Sequence, residues 1–308
     1  MRWEDFRRSD NIEDERDGNS GGMSGGGMPG GGFRGGGRLG IGTVIVLGLV
    51  GWALGIDPSI LIGGAEIISG GGSSYQQTQR EPTARTGAPT DQEGQFVAAV
   101  VGNTEDVWKV VFQNAGQSYR PPRLRLFDGR VSSPCGMATS ASGPFYCPTN
   151  QRIYLDTSFF REMRDRFHGC SGQACEFAQA YVIAHEVGHH IQNQLGILSK
   201  VREAQGAAGS RAGANQLQVR VELQADCFAG VWAHNSNQKW KTVEPGDAEA
   251  ALQTAAAIGD DRLQKQARGY VVPDSFTHGS SAQRQRWFTT GLKAGKVSAC
   301  NTFAAAQL

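Results

Sequence analysis

Residues 181–196 read "YVIAHEVGHHIQNQLG", with His185, His189 and His190 inside six positions and Glu186 among them. Helical spacing governs this stretch. At about 100° per residue, Phe177, Ala180, Ala184, Val187, Ile191 and Leu195 fall on one apolar stripe. A helix is therefore expected from near Gln173, with Gly196 as its stop. His185 and His189 lie one turn apart and away from that stripe, so both imidazoles can reach one ion. Glu186 is displaced by about 100°, close to the ion without having to bind it. His190 points about 140° round from His185 and cannot share the ion. This is H-E-x-x-H on a helix, a pattern suited to two neutral imidazoles at about 2 Å from zinc and a carboxylate beside them.

Two histidines are too few for a catalytic zinc, so the third ligand decides the reading. The downstream stretch "QLQVRVELQADCFAGVWAHN", residues 216–235, has its own helical stripe in Leu217, Val221, Ala225, Phe228 and Trp232. Glu222 and Asp226 stand one turn apart on another face. Packed antiparallel beside the first helix, this one would direct Glu222 at the ion. Asp226 would then accept the free N–H of a ligating histidine. Three protein ligands leave a fourth position for water, and zinc brings that water's pKa toward about 7. Glu186 can take its proton, deliver hydroxide to a carbonyl and protonate the leaving amine. His278, in "DSFTHGSSAQRQRWF" (residues 274–288), is the candidate donor to the oxyanion. Its loop precedes a helix that Ser280 or Ser281 would cap.

The 308-residue chain has a net charge of +1, which excludes the whole-chain basic footprint of a nucleic-acid binder. Its glycine excess is local. Residues 18–37, "GNSGGMSGGGMPGGGFRGGG", cannot bury enough apolar surface to offset ordering entropy. The mixed-charge residues before them are expected to be unfolded or weakly helical, making 1–38 a disordered tail. Residues 39–56, "LGIGTVIVLGLVGWALGI", carry no charge and are just long enough for one transmembrane helix. Arg34 and Arg38 precede this run, whereas no Lys or Arg follows it until Arg80. The positive-inside rule then predicts a cytoplasmic N-terminus and everything after Ile56 outside. Residues 57–92 are a Gly/Ser/Gln/Thr/Pro-rich linker.

The domain proper is expected over 93–308. The reading is α+β, mainly helical with a small β-sheet. Gly102-Asn103 predicts two helices or one broken helix early in it. "PPRLRLFDGRVSS" reads as a strand and a DG hairpin turn, and Ile153–Asp156 as a short strand. All six cysteines follow the apolar run. An oxidising exterior would let them pair, by proximity as Cys135–Cys147 and Cys170–Cys175, leaving Cys227–Cys300.

"HEVGHH", then "ELQADCFAG", then "THGSSAQRQRWF", resembles the bacterial family of putative neutral zinc metallopeptidases. That resemblance implies a Gly-rich N-terminus, one transmembrane segment and a C-terminal zincin-like domain; together with the flanking charges and the cysteines, the expectation is a bacterial inner-membrane protein with its catalytic part periplasmic. The Glu-x-x-x-Asp arrangement is also similar to the gluzincin endopeptidases. They imply one Zn²⁺ per chain held by His185, His189 and Glu222, with Asp226 behind them. Their His-Pro element with an arginine six residues on resembles His278 and Arg284, implying a transition-state donor and a buried structural arginine. Gly279 stands here in place of the proline. The resemblance further implies that "QRIYLD" is an edge strand for a peptide substrate. The implied activity is membrane-anchored endopeptidase action on a peptide or protein. The rival readings are an inactive zinc-containing scaffold for an envelope protein partner, and a hydrolase of some other amide.

Overall fold

A computed structural model describes residues 1–16, 85–139, 142–165, 170 and 174–308. The first surprise lies at the N-terminus. Residues 1–16, expected as part of a disordered tail, are built into the core. Met1, Trp3, Phe6 and Ile12 are all buried. Trp3 meets Phe96 edge-on at 5.4 Å, and Phe6 meets Trp240 at 6.2 Å. The Met1 ammonium pairs with Glu244 at 2.7 Å and Asp247 at 3.2 Å. The reason is that the charges of this segment have distant partners. Ser9 and Asn11 donate to Glu105, as does Arg7, across more than ninety residues of sequence. Mean composition counts such charges as solvated.

Strand β1 (Ile12–Asp14) then enters a five-stranded sheet with β2 (Arg85–Thr86), β3 (Arg123–Phe127), β6 (Phe145–Cys147) and β7 (Arg152–Asp156), in the order β2-β1-β3-β7-β6. β1, β3 and β7 run parallel, and β2 and β6 are antiparallel edges. Alternation assigns the two faces. Ile12, Leu124, Leu126, Ile153 and Leu155 face the helical core, while Phe127 and Tyr154 join a second cluster on the other side with Val131, Ala138 and Cys147. β7 is therefore an interior strand, contrary to the edge role implied for "QRIYLD"; β6 forms that edge. The strand β4 (Arg130–Ser133) follows the Asp128-Gly129 turn, but it pairs with β5 (Gly136–Thr139) instead of β3. Both sides of β3 are already taken by β1 and β7.

Helix α1 (Gln92–Asn114) runs unbroken through Gly102-Asn103. Those residues serve contacts instead of a break. A Cβ on Gly102 would meet the Arg7 carbonyl oxygen, so the glycine lets the N-terminal segment cross the helix at backbone distance. Asn103 accepts from Trp232 Nε1 and Ser236 Oγ. After α2 (Ser158–Asp165) come α3 (Cys175–Gln194), α4 (Ile197–Gly206) and the long α5 (Arg211–Trp240). α6 (Asp247–Ala257), α7 (Asp260–Arg268) and α8 (Ser281–Ala294) complete the mainly helical α+β chain. Gly196, in the left-handed region at φ 71°, ends α3 as the sequence suggests. Disulfides join Cys135–Cys147, Cys170–Cys175 and Cys227–Cys300, the expected pairs. The Gly-rich segment, the expected span 39–56 and most of the linker fall outside the described residues. Among those described, no helix is long and apolar enough to cross a membrane.

Two consequences can be measured. Trp3→Ala removes a buried indole, so denaturant unfolding should show a loss of about 3–5 kcal/mol. A disordered tail would give no change. Glu13, on β1, accepts from Arg125, Arg123 and Arg152 at 3.0–3.1 Å. Burial works to raise its pKa, but those guanidinium groups outweigh burial and hold the carboxyl below its usual 4.5. A depressed carboxylate stabilises the fold above its unfolded pKa, and that contribution is lost as pH falls through the folded value. Glu13→Gln should therefore be less stable than the parent at neutral pH, with the difference closing in urea titrations run progressively below pH 4.5.

Candidate metal centre

The site lies where α3 and α5 touch. Along α3 the contacts run Phe177, His185, His189 and Gln192; their partners on α5 run Trp232, Asp226, Glu222 and Val221. One series rises as the other falls, so the helices are antiparallel. Gly188, inside the H-E-x-x-H stretch, sets their separation. A Cβ there would stand 3.0 Å from both the Cα and the carbonyl oxygen of Ala225. A side chain there would require the Ala225 backbone, one turn from Glu222, to give way by a few tenths of an ångström.

At this separation three atoms form a small triangle. His185 Nε2 lies 3.1 Å from His189 Nε2 and 3.2 Å from Glu222 Oε2, and His189 Nε2 is 3.4 Å from that oxygen. Three ligands on a tetrahedral zinc with bonds of about 2.0–2.1 Å lie about 3.3 Å apart. The donor set and its spacing fit such an ion.

The other atom of each ligand is also held. His185 Nδ1 meets Asp226 Oδ1 at 2.8 Å, and His189 Nδ1 meets Gln192 Oε1 at 2.9 Å. Both partners are acceptors, which puts the imidazole protons on Nδ1 and leaves the Nε2 lone pairs for the triangle. The Gln192 amide cannot be reversed, because its Nε2 donates to the Val221 carbonyl at 2.7 Å and to Gln224 Oε1 at 3.1 Å. Gln224 in turn donates to the Cys300 carbonyl at 2.9 Å, and Cys300 is disulfide-bonded to Cys227 one turn along α5. Gln218 Nε2 holds the second oxygen of Glu222 at 2.8 Å. Asp226 is fixed by Arg284, whose Nε and Nη2 donate to its two oxygens at 2.8 and 2.9 Å, and by the Tyr181 hydroxyl at 2.6 Å. Arg284, anticipated as a buried arginine, is 3 % exposed.

The charges follow this layout. Burial opposes ionisation of His189, but the Glu222 carboxylate prevails and holds the imidazole at about 9. His185 is raised as well, with burial overcome by Asp226. Glu222 is driven well below the ordinary carboxylate range, chiefly by His189 against the cost of burial. Burial likewise opposes Asp226, yet Arg284 brings it to about 2. The cluster is thus a preformed negative pole facing two imidazoles, an arrangement in which a divalent cation can replace protons. The Glu186 side chain is buried and makes no hydrogen bond to other described residues, and burial pushes its carboxyl up.

His278 sits in the loop before α8. Asp260 Oδ2 accepts the backbone amides of Thr277, His278 and Gly279 at 2.6–3.0 Å, and Asp260 Oδ1 faces His278 Nδ1 at 3.3 Å. Gly279, at φ 90°, packs against Val219 and Leu223, the neighbours of Glu222 on α5. Proline is locked near φ −65°, so it cannot occupy this position along this path. Partial burial would lower the His278 pKa, but the Asp260 hydrogen bond and the Glu222 charge raise it. Ser280 caps α8 in a capping box with Gln283. His190 faces away from the triangle. Its Nε2 donates to the Arg120 carbonyl at 2.6 Å, and its Nδ1 lies 3.1 Å from the Tyr146 hydroxyl on β6.

Sequence reading missed Tyr181, Gln192, Gln218, Gln224 and Asp260. A signal existed for three of them. Tyr181 precedes His185 by one turn, Gln218 precedes Glu222 by one turn, and Gln192 follows His189 by three residues. Gln192→Ala should weaken zinc binding by about 10–100-fold, read by competition with a chromophoric chelator. The Cys227–Cys300 bond should remain intact in the same sample.

A sequence profile described as "Putative neutral zinc metallopeptidase" matches residues 1–303. "Uncharacterized protein YpfJ" of Escherichia coli K12 is 45% identical over 303 residues, covering 98% of this chain and 99% of the relative. "Uncharacterized protein Rv2575" of Mycobacterium tuberculosis H37Rv is 46% identical over 235 residues, covering 73% and 75%. No solved structure matches the chain.

Proposed function

The chain belongs to the putative neutral zinc metallopeptidase family, and from that premise we propose that it is a zinc-dependent endopeptidase. The observation that carries this reading is the triangle of His185 Nε2, His189 Nε2 and Glu222 Oε2, with both Nδ1 atoms already committed to acceptors. These residues would hold the ion. A bound zinc supplies Lewis acidity, polarising a carbonyl and acidifying a water.

The chain's own groups do the rest. Glu186, made more basic by burial, takes a proton from the attacking water. Hydroxide adds to the scissile carbonyl carbon, the C–N bond breaks, and Glu186 returns the proton to the departing amine nitrogen. His278, whose pKa Asp260 and Glu222 raise against the cost of burial, donates to the oxyanion. Asp226 and Gln192 keep the imidazoles in the ligating tautomer, while Arg284 neutralises Asp226. Three disulfides support an oxidising, extracytoplasmic location for the domain. The uncharged run 39–56 supports attachment to a membrane.

The assay requires the full chain, because a protein starting at residue 93 would lack β1 and the core residues Met1, Trp3 and Phe6. Incubated with a diverse peptide mixture, the zinc-loaded protein should produce cuts that a chelator abolishes, read by mass spectrometry. Glu186→Gln should retain zinc and lose those cuts, with a fall in rate of about 10²–10⁴-fold. Undiminished cleavage by that variant would remove Glu186 as base. Absence of any chelator-sensitive cut would favour a zinc-containing scaffold.

A further inference from the structure

Strand β1 lies between β2 and β3, pairing antiparallel with Arg85–Thr86 and parallel with Leu124–Leu126. The chain therefore departs from this sheet after Arg16 and rejoins it at Arg85. A segment that leaves and returns to one folded body crosses any bilayer an even number of times. Between those points the sequence has one uncharged run of spanning length, residues 39–56. The next apolar stretch, "PSILIGGA" at 58–65, is far short of the roughly 20 residues that a helix needs. A single crossing conflicts with the sheet, and a second has no sequence to make it.

We propose that residues 1–16 and the domain share one compartment, the extracytoplasmic one. This rests on the membrane reading of the run 39–56 and is independent of the peptidase reading. It replaces the orientation that Arg34 and Arg38 suggest, with the N-terminus in the cytoplasm. The contacts that hold residues 1–16 are not marginal. Glu13 faces Arg125, a guanidinium buried in the sheet, and removing a buried ion's partner is strongly disfavoured. Glu105 would lose Arg7, Ser9 and Asn11 together, and Asp247 would lose the Met1 ammonium. The compartment follows from the three disulfides of the domain to which these residues are joined.

Asp5, Asp10 and Glu203 are exposed, and the six native cysteines are paired. In the full-length protein in bacterial cells, Asp5→Cys, Asp10→Cys and Glu203→Cys would each be treated with a membrane-impermeant maleimide, before and after lysis of spheroplasts. The wild-type chain serves as the blank. All three positions should label before lysis to the same extent as after it. Labelling of positions 5 and 10 only after lysis, with 203 labelled before, would restore the single crossing and overturn the proposal. Labelling of all three only after lysis would overturn the compartment and with it the proposal. Two independent N-terminal positions guard against one variant that fails to fold, and thermal melting identifies such a variant.

Discussion

The contact between α3 and α5 at Gly188 and Ala225 is the constraint on which the site depends. Helices normally pack with axes about 8–10 Å apart, the distance depending on the side chains between them. Here a glycine faces an alanine, which brings a glutamate on one helix to two histidines on the other. Asp226 and Arg284 then make the close approach tolerable. A buried carboxylate beside a ligand histidine needs a counter-charge, and a guanidinium gripping both its oxygens supplies one. That pairing also fixes α8 against α5 and brings the His278 loop next to Glu222.

The rest of the fold acts as a frame for this contact. α3 is buried over most of its surface, chiefly by α5, α6 and α1, with β6 alongside. His190, buried on the side away from the triangle, ties the helix to β6 and to the chain at Arg120. From the other direction, the Cys227–Cys300 bond secures the C-terminal segment whose carbonyl orients Gln224, and through it Gln192 and His189. The ligand geometry is thus held at both Nδ1 atoms by elements distant in sequence. One restraint is ionic, through Asp226, and the other is a relay of neutral amides.

The N-terminal segment shows the same logic away from the site. Its acids and arginines lie too far in sequence from Glu105, Arg123, Arg125 and Arg152 for any local reading to pair them. Once paired, they close a sheet whose first strand precedes the run 39–56 and whose remaining strands follow it. A hydropathy profile treats that run as a boundary between two compartments. The sheet joins what lies on its two sides.

Local periodicity was enough to reveal α3, the histidine pair, the exclusion of His190 and the Glu222–Asp226 row, because each depends only on 100° steps along one helix. Cysteine spacing likewise suggested the three disulfides. The separation of α3 and α5 was not legible, since it depends on what Gly188 faces. Nor were the amide relay through Gln192 and Gln224, the interior position of β7, or the continuity of α1 through Gly102. Glutamine and glycine carry no charge or hydropathy signal, and their roles here come from the neighbours they meet. The sequence by itself determined which side chains could bind a metal. Only the tertiary structure decided that their atoms converge within 3.4 Å and that residues 1–16 belong to the same body, because both facts rest on contacts between residues far apart in the chain.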